Sequence, residues 1–346
     1  MIYISGGSNS IRKGGWSYSF ADLLEDPDEI KNISIGGTGS ITSAWRVLFT
    51  QDIKPDDIVI WEYALNDSVL IKASSYSDEL CLRFCEYVIR HVQESGARII
   101  PLILTNLHTE NRAKSTRYQR RLKHMFGRYG LDFIDIAEEA RAEFNLQQIP
   151  EEYYEDPQHY VPGGPITTRL AQRTKELIDA GCGTPKKVRR PLYNPSNAKL
   201  NFHADIRGVE QEMFRNSLIS TSINPQTPVP YELTPFDHAG QLSHLVVLHE
   251  PNAGAVRLTI GERTVSISVT PDERRLARAV RCVGLAGLFE GDPITFQKGD
   301  VLKFDVASPD DDFKVEAAFS KNIDISKLDQ PKFQLIGMMT EETPTP

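Results

Sequence analysis

Apolar and polar positions along the chain follow two rhythms. Over the first 180 residues, short unbroken apolar runs alternate with stretches whose apolar positions recur every three or four residues. Met1–Ser5, Asn32–Ile35, Ile58–Glu62, Arg98–Leu104 and Phe133–Ile136 are expected to form strands. Tyr18–Leu24, Ser43–Thr50, Ser77–Ser95, Asn111–Tyr129 and Ile166–Ala180 carry the helical period. Strands separated by helices pair in parallel, because a crossover helix returns the chain to the same sheet edge. The pattern predicts an α/β domain of three layers, α/β/α, around a parallel sheet.

The rhythm changes after Gly181-Cys182-Gly183-Thr184-Pro185, where a loop rich in Pro and Asn runs to about Asn201. Beyond it the helical period disappears. Leu242–Leu248, Ala255–Ile260, Thr264–Val269, Arg278–Leu285, Ile294–Phe296, Val301–Val306, Phe313–Ala318 and Phe333–Met338 are expected as short strands. Val265-Ser266-Ile267-Ser268-Val269 alternates apolar and polar residues, as a half-buried strand does. Gly261-Glu262 and Lys298-Gly299-Asp300 suit hairpin turns. This half is expected to be an antiparallel β-sandwich of jelly-roll type. The domain plan is therefore 1–182, a linker over 183–201, a sandwich over 202–340 and a frayed tail over 341–346.

The length of 346 residues supports two such domains, each with its own core. The net charge of −8 has no single-sign tail, which argues against a grip on nucleic-acid backbones. The most basic stretch, Arg112 to Arg128, also places Leu122, Met125 and Phe126 at helical spacing, so it reads as a solvated helix face. No apolar run reaches the roughly 18 residues that a membrane span needs. The first residues lack a signal-peptide pattern, so a cytoplasmic location is expected, with a leader already removed as the alternative. Cys81, Cys85, Cys182 and Cys282 have no zinc-type pairing and are expected as free thiols.

Candidate chemistry gathers where the first domain's strands end, the place where open α/β sheets bind ligands. Ser8 follows the first strand in Gly6-Gly7-Ser8-Asn9-Ser10. Gly36-Gly37-Thr38-Gly39-Ser40 follows the second, Glu62-Tyr63-Ala64-Leu65-Asn66-Asp67 the third, and Asp156-Pro157-Gln158-His159 closes the series. A serine hydroxyl needs a base to become a nucleophile, and His159 can be that base. Asp156, three residues earlier, can orient its imidazole. An oxyanion would find donors in the backbone N–H of Ser8, the N–H of Gly37 and the amide of Asn66. The glycine run lacks the spacing of a dinucleotide fingerprint, and no P-loop lysine follows, so no cofactor is expected.

In these four blocks the chain resembles the SGNH, or GDSL-type, hydrolase superfamily. Gly6-Gly7-Ser8-Asn9-Ser10 is similar to its first block, Asn32–Gly37 to its second, Ala64-Leu65-Asn66-Asp67 to its third and Asp156-Pro157-Gln158-His159 to its last. The resemblance covers roughly residues 1–180. It implies a flavodoxin-like fold and metal-free cleavage or transfer of acyl esters, often O-acetyl groups on sugars. Two positions depart from the pattern: Gly7 stands where an aspartate is usual, and Ala64 where a glycine is usual.

The expected activity is a serine esterase that deacylates a small-molecule or glycan ester. An O-acyltransferase acting on a glycan is the alternative, and a non-catalytic glycan-binding protein the third. Trp16, Trp45, Trp61, Tyr63, Tyr153, Tyr154 and Tyr160 flank the motifs. Among these, Trp16, Tyr63 and Tyr160, together with His108, are the candidate substrate contacts, and Arg12 and Lys13 are candidate polar ones. His203, His238, His244 and His249 match no ligand spacing, and Asp310-Asp311-Asp312 lacks a calcium loop's pattern, so no metal is expected. The second domain is expected to bind glycan, to wall the cleft or to mediate a homo-oligomer.

Overall fold

The computed structural model describes residues 1–73, 76–111, 115–194, 196–206, 210–215, 219–223, 231–249, 253–270, 279–289, 291–308, 310–315 and 334–342. The chain divides into two units: residues 1–71 with 78–194, and 72–77 with 195–346.

Five parallel strands form the sheet of the first unit. They are β1 (Ile2–Gly6), β2 (Ile30–Asn32), β3 (Ile58–Glu62), β4 (Arg98–Ile103) and β5 (Ile134–Asp135), in the order β2-β1-β3-β4-β5. β1 and β3 are buried at every position because helices cover both faces, which is why they read as continuous apolar runs. Successive side chains point to opposite faces. Ile2, Ile4, Ile58 and Ile60 join a core with Trp16 and Phe20 of α2 (Trp16–Ala21) and Ile166 and Leu170 of a later helix, Pro165–Asp179. On the opposite face, the Ser5 hydroxyl lies 2.9 Å from that of Ser43, in the helix Ser40–Phe49. There, too, the Trp61 ring meets Phe126 edge-on, 6.0 Å between centroids.

Several boundaries differ from the sequence expectation. The second strand ends at Asn32, although Ile33 and Ile35 still donate backbone hydrogen bonds to β1. The helix expected over 111–129 separates into Leu107–Glu110 and Arg117–Arg128, with 112–114 outside the described residues. Thr116 and Gln119 close a reciprocal capping box at the second start. The helices Ala64–Lys72 and Ile136–Glu143 have no counterpart among the expected elements.

The stretch expected as a linker is built into the first unit as far as Asn194. Gly183 O accepts from Ile99 N–H at 2.7 Å, and a Cβ there would lie 2.7 Å from Ile99 O. Buried Glu86 then accepts the N–H groups of Leu192, Tyr193 and Asn194 at 2.7–3.1 Å. These bonds satisfy backbone donors that would otherwise be buried alone.

The second unit is a β-sandwich. One sheet runs Tyr231–Glu232, Leu302–Val306, Ala255–Ile260, Arg263–Ser268, Phe313–Val315. The other runs Ala279–Gly284, Gly240–His249, Leu335–Glu342, Leu200–His203, with Thr295–Phe296 paired to Gly240–His249. Leu245, Val247 and Met338 of the second sheet share a core with Val256, Leu258 and Phe304 of the first. Among the described residues, pairing is antiparallel except between Arg263–Ser268 and Phe313–Val315, which run parallel. Glu341 and Glu342, expected to fray, continue a strand, while residues 343–346 lie outside the described residues. The expected strand positions 278, 316–318 and 333 also lie outside them. Strands at 200–203, 212–215, 220–223 and 231–232 went unforeseen, as did the short helix Leu285–Leu288. The sandwich also takes in residues 72–77: the Tyr76 hydroxyl donates to Cys282 O at 3.2 Å.

Candidate active site

The first strand ends at Gly6, Gly7 turns the chain, and Ser8 opens the short helix α1 (Ser8–Ile11). The Ser8 hydroxyl lies 2.7 Å from His159 Nε2. His159 Nδ1 is 2.7 Å and 2.8 Å from the two carboxylate oxygens of Asp156. A hydroxyl, an imidazole and a carboxylate thus stand in one line.

Local chain chemistry sets up the second half of that line. Tyr154–Asp156 and His159–Tyr160 form a minimal hairpin. Asp156 Oδ1 accepts the N–H of Gln158 at 2.8 Å and of His159 at 3.1 Å, an aspartate-nucleated turn. Burial by itself would raise the Asp156 carboxyl. The Gln158 N–H, the His159 ring and the charge of Arg12 outweigh that and hold it below its ordinary value. The hairpin is anchored to the end of β4, where the Tyr160 and Tyr154 hydroxyls donate to Thr105 O at 2.9 Å and 3.2 Å. It is tied to α1 as well: Asn9 Nδ2 donates to Gln158 O at 3.0 Å, and Arg12 pairs with Glu155 and, at 3.7 Å, with Asp156.

Two further segments border Ser8. A Cβ placed on Gly36 would be 3.5 Å from Ser8 Cβ, so the Gly36-Gly37 loop runs directly past the serine. Gly37 has φ +68°, a left-handed conformation that glycine adopts without strain. Asn66 comes from the other side, in the first turn of Ala64–Lys72. Its amide lies so close to Gly7 that any Cβ there would overlap it. Asn66 is 7% exposed and its Oδ1 is buried without a partner. Its neighbour Asp67 has a different task. Burial pushes its carboxyl up to about 6, and it accepts Ser40 N–H at 2.8 Å together with the hydroxyls of Ser40 and Tyr118.

The candidate substrate contacts separate. Trp16, Tyr63 and Tyr160 are 1%, 0% and 2% exposed, so they pack in the core and present no ring face to a ligand. Their hydrophobic area is more valuable inside than at a rim. The Tyr63 hydroxyl accepts Ile35 N–H at 3.3 Å, which braces the strand leading into the glycine loop. His108 is exposed, beside Leu107, whose N–H donates to Pro157 O at 3.0 Å. Arg12 is occupied by Glu155 and Asp156 rather than left for a ligand. Glu62, the last residue of β3, is fully buried beneath the Ser8 turn. A charged side chain closing the apolar run Ile58–Trp61 was the sequence signal for it. Among the described residues, no group of three or more metal-type side chains could hold an ion, and no helix is long and apolar enough to cross a membrane.

No known family's sequence pattern matches the chain, and no curated protein matches it. Solved structures do. A two-domain esterase (CEX) active on acetylated mannans superposes with a TM-score of 0.58 at 13% identity, covering 100% of this chain and 92% of that one. An acetyl xylan esterase, AlAXEase, matches 51% of this chain and all of its own at TM-score 0.43 and 16% identity. A lipolytic G-D-S-L family member from Veillonella parvula matches 50% of this chain and 96% of its own, at TM-score 0.39 and 11% identity. The likeness is one of fold: an α/β/α unit followed by a β-domain.

Proposed function

We propose that this chain, with its SGNH-type catalytic fold, is a serine esterase that removes O-acyl groups, O-acetyl foremost, from a carbohydrate. The observation that carries the reading is the Ser8–His159–Asp156 line, with both hydrogen bonds near 2.7 Å.

Each part has a role in the reaction. His159 Nε2 takes the Ser8 proton as Oγ attacks the ester carbonyl. Asp156 holds Nδ1–H and stabilises the imidazolium that forms. The carbonyl oxygen becomes an oxyanion that accepts hydrogen bonds from Ser8 N–H, Gly37 N–H and the Asn66 amide. The unpartnered amide oxygen of buried Asn66 supports this, because turning the amide over presents its NH2 group at the same place. Collapse breaks the C–O bond to the sugar, and His159 protonates the departing alcohol. Water, deprotonated by His159, then attacks the acyl-enzyme and releases the acid and free Ser8.

The carbohydrate assignment is supported by the full-length likeness to an esterase whose substrates are acetylated mannans. The test is acetate release from acetylated mannan, acetylated xylan and p-nitrophenyl acetate, with p-nitrophenyl butyrate to grade acyl length. Release that Ser8→Ala abolishes is the expected result. Equal release by Ser8→Ala overturns the mechanism. Acetate diverted onto an added glycan acceptor would make the protein an acyltransferase instead.

A further inference from the structure

The turn that carries Ser8 is held at several points: Gly6 N–H donates to Ser34 Oγ at 2.9 Å, and Ser10 O accepts from Asn32 Nδ2 at 2.7 Å and from the Ser17 hydroxyl at 2.9 Å. Gly6 and Gly7 carry no side chains, and the Ser8 hydroxyl is engaged with His159. The turn is gripped from beneath by one carboxyl group. Glu62 Oε2 accepts the Gly7 N–H at 3.1 Å and the Ser10 hydroxyl at 2.8 Å, one residue before Ser8 and two after it. The Gly7 N–H also points to Glu62 O, at 3.2 Å. A Cβ on Gly6 would lie 2.9 Å from Oε2, so glycine is what admits the carboxyl this closely. Glu62 Oε1 is buried without a partner.

We propose that Glu62 is a positioning residue for Ser8. Its Oε2 clamps the turn on both sides of the serine and so holds Oγ within proton-transfer distance of His159, acting as a hydrogen-bond acceptor and not as a charge. The inference rests on the reading of Ser8 as the nucleophile.

Three considerations favour the uncharged form. An ionised carboxylate with one buried, unpaired oxygen is strongly disfavoured, whereas a neutral acid places its hydroxyl there. A fixed negative charge behind the serine would oppose the oxyanion that forms beside it. Burial also lifts the carboxyl to about 7, with the Ser10 and Gly7 bonds pulling back and nearby Asp67 pushing the same way as burial, so the neutral acid predominates below that pH. The clamp supplies what the usual aspartate before the serine cannot, since the Asn66 amide fills the space a side chain at residue 7 would need.

The test compares Glu62→Leu, Glu62→Gln, Ser10→Ala and Ser8→Ala in the full chain. Its readouts are p-nitrophenyl acetate kinetics and the rate at which a fluorophosphonate probe labels Ser8. Glu62→Leu should lower kcat and the labelling rate by roughly 30- to 100-fold with KM nearly unchanged, since small misplacements of a reacting group carry penalties of that size. Glu62→Gln, which keeps the acceptor, should recover at least about tenfold of that loss. Ser10→Ala, which removes one arm of the clamp and serves also if the leucine variant does not fold, should slow both by roughly three- to tenfold. A purely structural Glu62 would lower the melting temperature and leave kcat and labelling per folded molecule unchanged, and that result overturns the proposal. So does a glutamine variant as slow as the leucine one. Wild-type turnover by Ser8→Ala would remove the esterase reading itself, and this inference with it.

Discussion

His159 Nε2 and Ser8 Oγ lie 2.7 Å apart although 151 residues separate them in the chain. The bond joins the end of β1 to the hairpin that follows the last helix but one of the first unit, so it exists only when the sheet is assembled. Ser8→Ala should lower kcat on p-nitrophenyl acetate by at least about 10³-fold with an unchanged circular dichroism spectrum. His159→Ala should do the same, and the double variant should be no worse than either, because the two act as one unit.

Asp156→Asn keeps the shape of the side chain but removes the charge that steadies imidazolium. Its kcat should fall by roughly 10²- to 10⁴-fold while KM stays close to wild type. Steady-state kinetics over a substrate series separates the two constants. A variant that loses only affinity would assign Asp156 to binding instead.

Asn66→Ala takes one donor from the expected oxyanion site and should reduce kcat by about 10²-fold. Gly7→Asp, which places an aspartate directly before Ser8, should also lower activity strongly. Its Cβ would overlap the Asn66 amide, so one of the two must move. Acetate release by purified Gly7→Asp at the wild-type rate would contradict that packing.

Stability should depend on pH through Glu62. Its carboxyl titrates near 7 in the folded protein against 4.5 ordinarily, so the folded state binds the proton more tightly than the unfolded chain does. The contribution is full below about pH 4.5, declines as pH rises and is gone above about 7, amounting to about 3 kcal/mol. Asp67, pushed up to about 6, adds a loss of the same sign at lower pH. Urea unfolding of the wild type should therefore weaken between pH 5 and pH 8, and Glu62→Gln should flatten the upper part of that decline.

Tyr76 belongs to the sandwich although it lies between two helices of the first unit in sequence. It is buried, donates to Cys282 O and packs its ring 6.4 Å from that of His244. Tyr76→Phe should destabilise the second unit by about 1 kcal/mol and Tyr76→Ala by about 3 kcal/mol. Differential scanning calorimetry resolves which transition moves.

Much of the first unit was legible because its signals are local. A strand covered on both faces must be apolar throughout, which marks Ile2–Gly6 and Ile58–Glu62. Asp156 and His159 could be paired on paper because a three-residue spacing closes one turn, and that turn depends on the aspartate's own backbone bonds. The four strand-end blocks likewise depend on short stretches read in order.

What stayed hidden depends on partners distant in the chain. Trp16, Tyr63 and Tyr160 looked like ligand-facing aromatics, and only the packed sheet and helices show that they are core. Residues 183–194 read as linker because Pro and Asn say nothing of buried Glu86, more than 100 positions away by the hydrogen bonds they share. In the second unit a two-residue strand such as Tyr231–Glu232 leaves too short a pattern to see, and its place is set by its neighbour across the sheet. The sequence by itself determined which candidate groups follow the strand ends, since backbone periodicity and turn formation are properties of adjacent residues. Tertiary structure alone decided that the hydroxyl of Ser8 meets the ring of His159 and that Glu62 grips the turn between them and the sheet, because those contacts form only when separate strands are brought side by side.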